Sequence, residues 1–482
     1  MADLKHNPES IRTESSSSKD IVIVGAGAAG LAAAMTIKNR YSENKCRVRV
    51  LEASEKIGGR MFCEQIDGYH LYSGASAIHE SFATVRNMAH ELGVELYPNP
   101  KVKGAQIYAG GRLWGMYVGG SLKQTLTTIS TVLRSPQFTL LGIWEFMRLF
   151  SLLKKRAKAL DFENYDRIMD LDNSQSFADF AREHSLNRYL KLYGELDFNC
   201  FIASHSEQVG AAYAMALLWL WTVNPASRNY SPKQGISAFV KAVEDTCSKC
   251  VHLAKPVERI ILEDGVAKGV VTTDGQQISA DAVICATTAS AASRMLPDLP
   301  IQLLETLKRV RYSSCIYVAL RLDENILEND SHAALFPPGS PTFLTMVSNL
   351  AALAPEAAPP GKSIVHALII DEHARQLFEL SDAQIASRTI QEMQRFFPAM
   401  PDVQSMDGGE QEARVYRWTE AMCLLSGGML REMHDMRGHL ERTTSGLFLA
   451  GDYTRLPSVN GALKSGIEAA SASLSYVFGN DT

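Results

Sequence analysis

The sequence lacks an excess of positive charge, a metal-ligand pattern and an internal repeat, and each absence excludes a class of protein. Its 48 Lys and Arg stand against 53 Asp and Glu, a formal net charge of -5, so no nucleic-acid partner is expected. The one close cysteine pair, Cys247 and Cys250, has no second pair at zinc-ligand spacing and no redox-type context, so we expect free thiols and no metal site. No self-similar period of solenoid length occurs, which excludes a repeat protein.

The sequence also lacks the patterns of a signal peptide and of a membrane-spanning helix. Residues 1–19 contain no apolar core of a secretory signal, so we expect a disordered leader there and a cytoplasmic protein. The most apolar run, residues 138–153, holds Glu145 and Arg148 and is shorter than the roughly 20 residues that cross a bilayer. We expect it to form a buried or domain-packing helix, with contact to a membrane surface as the less favoured alternative.

What the chain does contain is the composition of a large globular protein. Hydrophobic residues make up 46% of its 482 residues and charged residues 21%. A chain of this length is expected to form roughly two to four domains, interleaved ones included. No catalytic triad or paired-carboxylate motif stands out, and the clearest functional motifs are glycine-rich segments near the two ends.

A glycine-rich turn near the N-terminus predicts a dinucleotide-binding unit. Gly25, Gly27 and Gly30 form G-x-G-x-x-G between a predicted strand and a predicted helix, and Glu52 ends the next predicted strand. Gly25 permits the tight turn, Gly27 lets a pyrophosphate approach the backbone, and Gly30 packs the helix on the strand. Glu52 would accept hydrogen bonds from ribose hydroxyls and repel a 2′-phosphate, which argues against NADP and leaves NAD and FAD open at this point.

The continuation of this unit resembles a known family. Residues 51–61, LEASEKIGGRM, resemble the E-A-x-x-x-x-G-G-R signature of the flavin amine oxidase superfamily, which includes monoamine and polyamine oxidases, carotenoid desaturases and protoporphyrinogen oxidases. Three later segments are similar to that family in the expected order: GYHLYSGASAIHE, AKPVERI followed by ADAVICAT, and FLAGDYTRLPSVNGALKSGIEAA. The resemblance covers both ends of the chain and implies FAD as the cofactor.

The resemblance implies an α/β fold in which a Rossmann-type FAD-binding domain is interleaved with a substrate domain of mixed sheet and helical insertion. Long helical stretches rich in Leu, Met, Phe and Trp follow the first unit, and β-type patterning returns later. The predicted segments are a disordered leader at 1–19, the FAD-binding domain at 20–81, 235–296 and 415–482, and the substrate domain at 82–234 and 297–414.

The family's cofactor-binding residues carry over one by one in the first two thirds of the chain. Gly59 and Arg60 would lie along the pyrophosphate, with Arg60 adding a fixed positive charge. Ser76 would lie near the isoalloxazine ring. Val257 would offer its backbone to the adenine.

The C-terminal motif supplies the remaining cofactor contacts. Asp452 would contact the ribityl or pyrophosphate part of FAD. Gly461 and Ala462 would begin a helix whose N-terminus faces flavin N1 and O2, where negative charge develops on hydride uptake. The Asp-Tyr-Thr sequence of this motif is more similar to the desaturase branch of the family.

Two departures from the family pattern change the expectation. Monoamine oxidases attach the flavin through a cysteine in Ser-Gly-Gly-Cys, whereas residues 426–429 read SGGM, so we expect non-covalent FAD. Many family oxidases place a lysine that holds a water against flavin N5, and Tyr317 stands at the aligned position here. Fast reoxidation of the amine-oxidase kind is therefore not expected.

Three side chains are candidates for contact with the substrate. His79 resembles a histidine that polyamine-oxidase relatives hold near the substrate amine, and a hydrogen-bonded structural histidine is the equal alternative. Trp418 falls where relatives place an aromatic wall beside the flavin, with a core tryptophan as the alternative. For Tyr317, the alternative is a structural role as a strand residue whose side chain faces the core.

The family's chemistry implies an FAD-dependent oxidoreductase that removes a hydride from a carbon next to nitrogen or next to an alkene. We expect a small, mostly apolar amine, an imine or conjugated double bond as product, and dioxygen as acceptor with release of hydrogen peroxide. One alternative is a desaturase or isomerase of a lipidic or isoprenoid substrate. Another alternative is a non-catalytic FAD-binding interaction module. The protein could act as a monomer or as a homo-oligomer.

Overall fold

The computed structural model of the protein describes residues 18–76, 78–99, 104–117, 121–135, 139–223, 228–232, 235–328, 331–401 and 413–479. The leader predicted for residues 1–19 lies outside them except for its last two positions. Strands in the described chain are β1 (Lys19–Val24), β2 (Cys46–Leu51), β3 (Cys63–Ile66), β4 (Tyr69–Tyr72), β5 (Ile78–His79), β6 (Leu96–Pro98), β7 (Gly104–Ala109), β8 (Arg112–Tyr117), β9 (Asn229–Pro232), β10 (Val251–His252), β11 (Val257–Glu263), β12 (Val266–Thr272), β13 (Gln277–Ser279), β14 (Ala282–Cys285), β15 (Arg311–Tyr312), β16 (Cys315–Leu322), β17 (Ser331–Leu335), β18 (Met346–Asn349), β19 (Ser363–Ile370), β20 (Ala413–Trp418), β21 (Cys423–Leu424) and β22 (Leu447–Leu449).

Helices follow or separate these strands along the chain. They are α1 (Ala28–Arg40), α2 (Ala83–Glu91), α3 (Leu122–Arg134), α4 (Leu140–Arg156), α5 (Tyr165–Met169), α6 (Phe177–Glu183), α7 (Asn187–Tyr189), α8 (Glu195–Ile202), α9 (Ala211–Leu218), α10 (Ile236–Cys247), α11 (Ala289–Met295), α12 (Ile301–Arg309), α13 (Leu350–Leu353), α14 (Asp371–Leu377), α15 (Asp382–Gln394), α16 (Met429–Thr443) and α17 (Val459–Phe478).

A parallel sheet forms the base of the molecule. Its order is β10-β2-β1-β14-β22, and every neighbouring pair is parallel. The apolar runs of β1 and β14 are completely buried in their last four residues, as expected for central strands covered on both faces. This order is that of a doubly wound dinucleotide-binding sheet, whose crevice lies at the carboxyl ends of β1 and β14.

Helices α1 and α17 cover one face of this sheet and pack against each other. Their crossing is close because Gly466 has no side chain. A Cβ at Gly466 would lie 2.0 Å from the carbonyl oxygen of Ala29. The beginning and the end of the chain are therefore joined by one tight helix contact.

A second, mixed sheet of seven strands has the order β20-β16-β19-β18-β17-β7-β8. All its pairs are antiparallel except β17 with β7. Every residue of β19 is buried, which places this strand in the interior of the sheet. The α/β fold with a Rossmann-type domain beside a mixed-sheet domain is confirmed, whereas the predicted segment boundaries stay a prediction. Strand β20 crosses the predicted boundary between residues 414 and 415.

A run of helices, α3 to α9, lies between β8 and β9 in the chain. The apolar run at residues 138–153 falls largely in α4, which has both a buried side with Leu149 and Leu153 and an exposed side with Leu140 and Trp144. No helix of the described residues is long and apolar enough to cross a membrane.

Candidate active site

The glycine turn after β1 leaves an opening where the predicted pyrophosphate would lie. Gly25 has a φ of +100°, and a Cβ there would lie 2.9 Å from the carbonyl oxygen of Ala286. A Cβ at Gly30 would lie 1.9 Å from the Gly25 carbonyl oxygen, so the turn and the helix contact both require glycine. At Gly27 the space is open, with nothing within 4 Å of an added Cβ. A phosphate group would fit against that backbone and the start of α1.

A second pair of glycines faces the first turn. The Gly58 amide donates to the Ala26 carbonyl at 2.9 Å, and a Cβ at Gly59 would lie 3.5 Å from the Gly27 Cα. Gly58 and Gly59 have φ values of +96° and +51°, which favour glycine. The two glycine segments therefore form one backbone-lined cradle suited to a pyrophosphate.

Glu52 closes the first turn from the side. Its carboxylate accepts hydrogen bonds from the Ala26 amide at 2.6 Å and from the Ser54 amide at 2.9 Å. Each oxygen keeps a further acceptor site, which suits ribose hydroxyls. The backbone of Glu52 bonds to that of Lys255, which brings Val257 at the start of β11 to the same edge of the sheet.

Arg60 and Asp452 form a two-pronged ion pair across the crevice. Arg60 Nη1 donates to Asp452 Oδ2 at 2.7 Å, and Nη2 donates to Oδ1 at 2.9 Å. Nη1 also donates to the Ala421 carbonyl at 2.9 Å. Burial lowers the pKa of Arg60, but the Asp452 carboxylate outweighs burial and the net direction is upward. The sequence placed these two residues separately on the cofactor and did not predict that they pair.

Ser76 follows a residue whose backbone is hydrogen-bonded to Arg60, so it lies close to this pair. The Ala75 amide donates to the Arg60 carbonyl at 3.1 Å, and Ser76 is half-buried. Trp418 Nε1 donates to the Ser73 carbonyl at 2.5 Å, which connects the mixed sheet to the same segment. Ser76 and Trp418, two predicted flavin neighbours, are therefore attached to one stretch of chain.

The C-terminal helix begins earlier than the motif predicts. Helix α17 begins at Val459 because Ser458 caps it, and the Ser458 hydroxyl accepts from the Gly461 amide at 3.0 Å. The Ala462 amide donates to the Ser458 carbonyl at 3.0 Å. The contact of Gly461 and Ala462 with the cofactor stays a prediction, and both amides are engaged within the helix start.

Tyr317 and Trp418 meet in a small apolar cluster on the mixed sheet. Cys315 of β16 stands opposite Trp418 of β20, and Tyr317 packs against the same group. Ala203, at the end of α8, belongs to this cluster. Burial is the main cause that raises the pKa of Tyr317 above its ordinary value, so the hydroxyl stays protonated at neutral pH.

Cys200 on α8 lies near Tyr317 and Asp197 lies near Cys200, and sequence reasoning missed both. Asp197 and Cys200 are three residues apart, on one side of the helix. Burial and the Asp197 carboxylate raise the pKa of Cys200 to about 12, and Cys200 in turn contributes to the upward shift in the pKa of Tyr317. The helix insertion carries no motif that would have indicated these positions.

Asp197 is a carboxylate in an enclosed setting. The Tyr189 hydroxyl donates to Asp197 Oδ2 at 3.3 Å, and burial raises the pKa of Asp197 to about 7 against the lowering effect of that hydrogen bond. No cation among the described residues forms an ion pair with it. Asp197 and Tyr317 are both half-buried.

His79 lies in a different aromatic group. It is fully buried in β5, and its ring contacts Phe82 and Trp221 at centroid distances of 5.9 and 5.2 Å. The Ser81 amide donates to His79 Nδ1 at 3.1 Å, and burial lowers the pKa of His79 to about 4. These contacts favour the structural alternative, and contact of His79 with a substrate stays a prediction.

A cleft of about 590 Å³ opens behind this aromatic group. Its walls include Ser81 and Leu220, which are also hydrogen-bonding neighbours of His79, together with residues 157–162 after the end of α4. The cleft is open to solvent on one side.

Other residues near the Arg60 pair were also missed. Tyr312 lies under the Arg60 guanidinium at 5.7 Å from the ring centroid, and its hydroxyl accepts from the Ala289 amide at 2.9 Å. Cys423 is completely buried, and its pKa is raised by burial and by the Asp452 carboxylate. Neither position belongs to a glycine or acidic motif, so only the fold reveals them.

A doubly wound sheet with a glycine-lined crevice defines a dinucleotide-binding protein. The chain belongs to the flavin containing amine oxidoreductase family, whose match covers residues 28–474. It is therefore an oxidoreductase of a flavin-containing family, and the predicted family is confirmed. The glycine cradle and the Glu52 carboxylate fit a flavin dinucleotide.

Individual relatives act on different substrates. The chain is 22% identical to coproporphyrinogen III oxidase of Bacillus subtilis, over 95% of this chain and 99% of that one. It is 22% identical to 15-cis-phytoene desaturase of Capsicum annuum, over 94% of this chain and 77% of that one. Cyclohexylamine oxidase of Brevibacterium oxydans has the same fold, with a TM-score of 0.69, 17% identity and coverage of 95% and 99%. The family therefore leaves the substrate open.

Proposed function

We propose that the protein binds FAD non-covalently and oxidises a small, mostly apolar amine to an imine, with dioxygen as the final acceptor and hydrogen peroxide as product. FAD is favoured over a shorter flavin because the two facing glycine turns suit a pyrophosphate and Glu52 suits a ribose. In this proposal Gly25, Gly27 and Gly59 line the pyrophosphate.

The remaining cofactor contacts follow the family pattern. Arg60 and Asp452 would lie along the pyrophosphate and ribityl chain, and Val257 would face the adenine. Ser76 and the start of α17 would lie beside the isoalloxazine. The bound flavin would supply the hydride acceptor, and the protein would hold the substrate carbon against it and exclude water.

Non-covalent binding is supported by Met429, which has no thiol where monoamine oxidases have the linking cysteine. Acid precipitation of the purified yellow protein should therefore release FAD into the supernatant. Flavin that stays with the precipitate would contradict the proposal and would direct attention to Cys423, the buried thiol near Arg60 and Asp452.

The observation that carries the choice of an amine is Asp197, which lies beside Cys200 on the helix next to Tyr317. A partly buried carboxylate that forms no ion pair with the described residues favours a cationic ligand, and the protonated amine of a substrate provides one. Because its pKa is raised towards 7, Asp197 can accept the ammonium proton and leave the amine neutral. Tyr317 and Trp418 would contact the apolar part of the same substrate.

The test compares Asp197→Asn with Asp245→Asn, an exposed carboxylate on α10. Asp197→Asn should lower kcat/KM for amines by at least about tenfold, roughly 1.4 kcal/mol, while Asp245→Asn leaves it unchanged. The wild-type kcat/KM should rise with pH up to about 7 as Asp197 loses its proton, and the variant should lose that limb. Equal kcat/KM values and pH profiles for the Asp197 variant and wild type would contradict the role.

A second candidate is desaturation of a lipidic or isoprenoid substrate. It is favoured by the exposed apolar sides of α3 and α4 and by the Asp-Tyr-Thr sequence at 452–454. Reduction of the flavin by an isoprenoid and by no amine would establish it. Reduction by neither class would favour a non-catalytic FAD-binding module.

A further inference from the structure

Two successive helices, α3 and α4, expose large apolar side chains to solvent. Leu140, Leu133 and Leu122 are 89%, 78% and 77% exposed, values unusual for leucine. We call the following residues the apolar face: Leu122, Leu126, Ile129, Leu133, Leu140, Leu141, Ile143, Trp144 and Met147. Most of the strongly exposed large apolar side chains of the described residues belong to it.

The apolar side chains of α3 form one narrow stripe. They recur at intervals of three and four residues, which places them on one side of the helix. On the other side Thr128 Oγ1 donates to the Tyr117 carbonyl at 3.1 Å, and Thr131 Oγ1 donates to the Gly115 carbonyl at 2.7 Å. These bonds attach α3 to β8, so the stripe is held facing outward.

Helix α4 has the same division. The Glu145 carboxylate accepts from the Tyr189 amide at 2.8 Å, and Leu149 and Leu153 are completely buried. Trp144 and Met147 lie on the other side of the helix, 55% and 56% exposed. The exposure is therefore a property of the folded helix and does not come from a loosely attached segment.

The exposed charges of the segment that carries the apolar face are of one sign. Glu145 is the sole acidic side chain in the described residues 121–158, and it is buried. The basic side chains of this stretch are Lys123, Arg134, Arg148, Lys154, Lys155, Arg156 and Lys158. The whole chain has a formal charge of -5, so this basic stretch is a local exception.

We propose that the apolar face inserts into the interfacial layer of an anionic lipid bilayer, with the lysines and arginines of residues 121–158 on the headgroups. Apolar side chains beside basic ones are the pattern of helices that lie in a membrane surface without crossing it. A second copy of the chain fits less well, because a twofold interface would bring the same cations together. Helix α4 leads into the 590 Å³ cleft, so attachment would hold that cleft near the lipid.

The test is flotation of the flavin-loaded protein with two kinds of vesicle, phosphatidylcholine alone and phosphatidylcholine with phosphatidylserine. The wild type should float with the anionic vesicles, more weakly as salt rises, and at least about tenfold less with the neutral ones. The double variant Leu126→Glu, Trp144→Glu should keep its flavin and unfolding temperature and lose at least about tenfold in binding.

The matched control is Ile301→Glu on α12, where the native side chain is 60% exposed. It should bind anionic vesicles as the wild type does. Absence of wild-type binding, or equal binding by the double variant, would overturn the proposal. Light scattering that shows an oligomer dissociated by the double variant, without vesicle binding, would assign the apolar face to a second copy.

Discussion

At the scale of single residues, the proposed cofactor site includes the Arg60–Asp452 pair. Asp452→Ala would leave the half-buried Arg60 guanidinium without its carboxylate, at a cost of about 1.5–3 kcal/mol in the free energy of unfolding. The variant should also purify with much less flavin. Flavin-to-protein ratio and thermal unfolding measure both effects.

Asp245→Ala on the exposed side of α10 is the control for this variant and should change neither quantity. Full flavin occupancy in Asp452→Ala, with unchanged unfolding, would show that the pair does not support the cofactor.

His366 makes a residue-level prediction about pH. It is buried in β19 next to the Tyr317 ring, its Nε2 has no hydrogen-bond partner among the described residues, and burial lowers its pKa to about 4. Because the unfolded value is about 6.5, the unfolded state binds more protons between pH 6.5 and 4. Above pH 6.5 His366 is neutral in both states and costs nothing. As pH falls from 6.5 to 4 the unfolded state takes up the proton first, and the free energy of unfolding falls by up to about 3 kcal/mol.

His366→Leu should therefore unfold with nearly wild-type stability at pH 8 and lose less stability at pH 5. Chemical denaturation at both pH values measures the difference. His434→Leu, at an exposed position on α16, should behave as wild type at both. An unchanged acid loss in His366→Leu would refute the assignment.

The glycines and acids of the cofactor site were predictable from sequence because each answers a local requirement of the backbone or of a phosphate. Gly25 and Gly30 are examples, since a Cβ at either meets a backbone carbonyl. Asp197 was not predictable, because its proposed role depends on the approach of α8 to Tyr317 on a distant strand.

At the scale of elements, the contact between α1 and α17 positions the two ends of the cofactor site. Gly466→Ala would place a Cβ 2.0 Å from the Ala29 carbonyl oxygen and force the helices apart. We expect a loss of about 1–3 kcal/mol in stability and weaker flavin binding, measured by denaturation and by flavin titration of the apoprotein.

Gly438→Ala within α16 is the matched control for Gly466→Ala. A Cβ at Gly438 would lie 3.4 Å from Arg442 Nη1, the end of a flexible side chain that can move away. Gly438→Ala should stabilise the protein by up to about 1 kcal/mol through helix propensity. If Gly466→Ala behaves in the same way, the close helix crossing is not required.

The first strand and helix were predictable, because an apolar run, a glycine turn and a helix-forming sequence follow one another there. The helix begins earlier than predicted, at Ala28, so Gly30 lies inside its first turn. Helix α4 was harder to interpret. Its apolar composition indicated packing, and composition does not show that Trp144 and Leu153 lie on opposite sides of the helix, one exposed and one buried.

At the scale of the whole molecule, the order of motifs along the chain predicted a cofactor domain assembled from separate segments. Strands β1, β14 and β22 do lie in one sheet although the chain leaves it twice between them. The mixed sheet could not be predicted in the same way. Its pairing of β17 with β7 joins residues more than two hundred positions apart and has no local signal.

The central claim is that the proposed flavin site, with Asp197, Tyr317 and Trp418 beside it, oxidises an amine. The most direct measurement mixes the yellow protein, without oxygen, with separate pools of primary amines, cyclic secondary amines, amino acids and isoprenoids, and follows the visible flavin absorbance. The account predicts bleaching by an amine pool and slow recovery on admission of air, with hydrogen peroxide formed. Bleaching by isoprenoids alone, or by none of the pools, would contradict it.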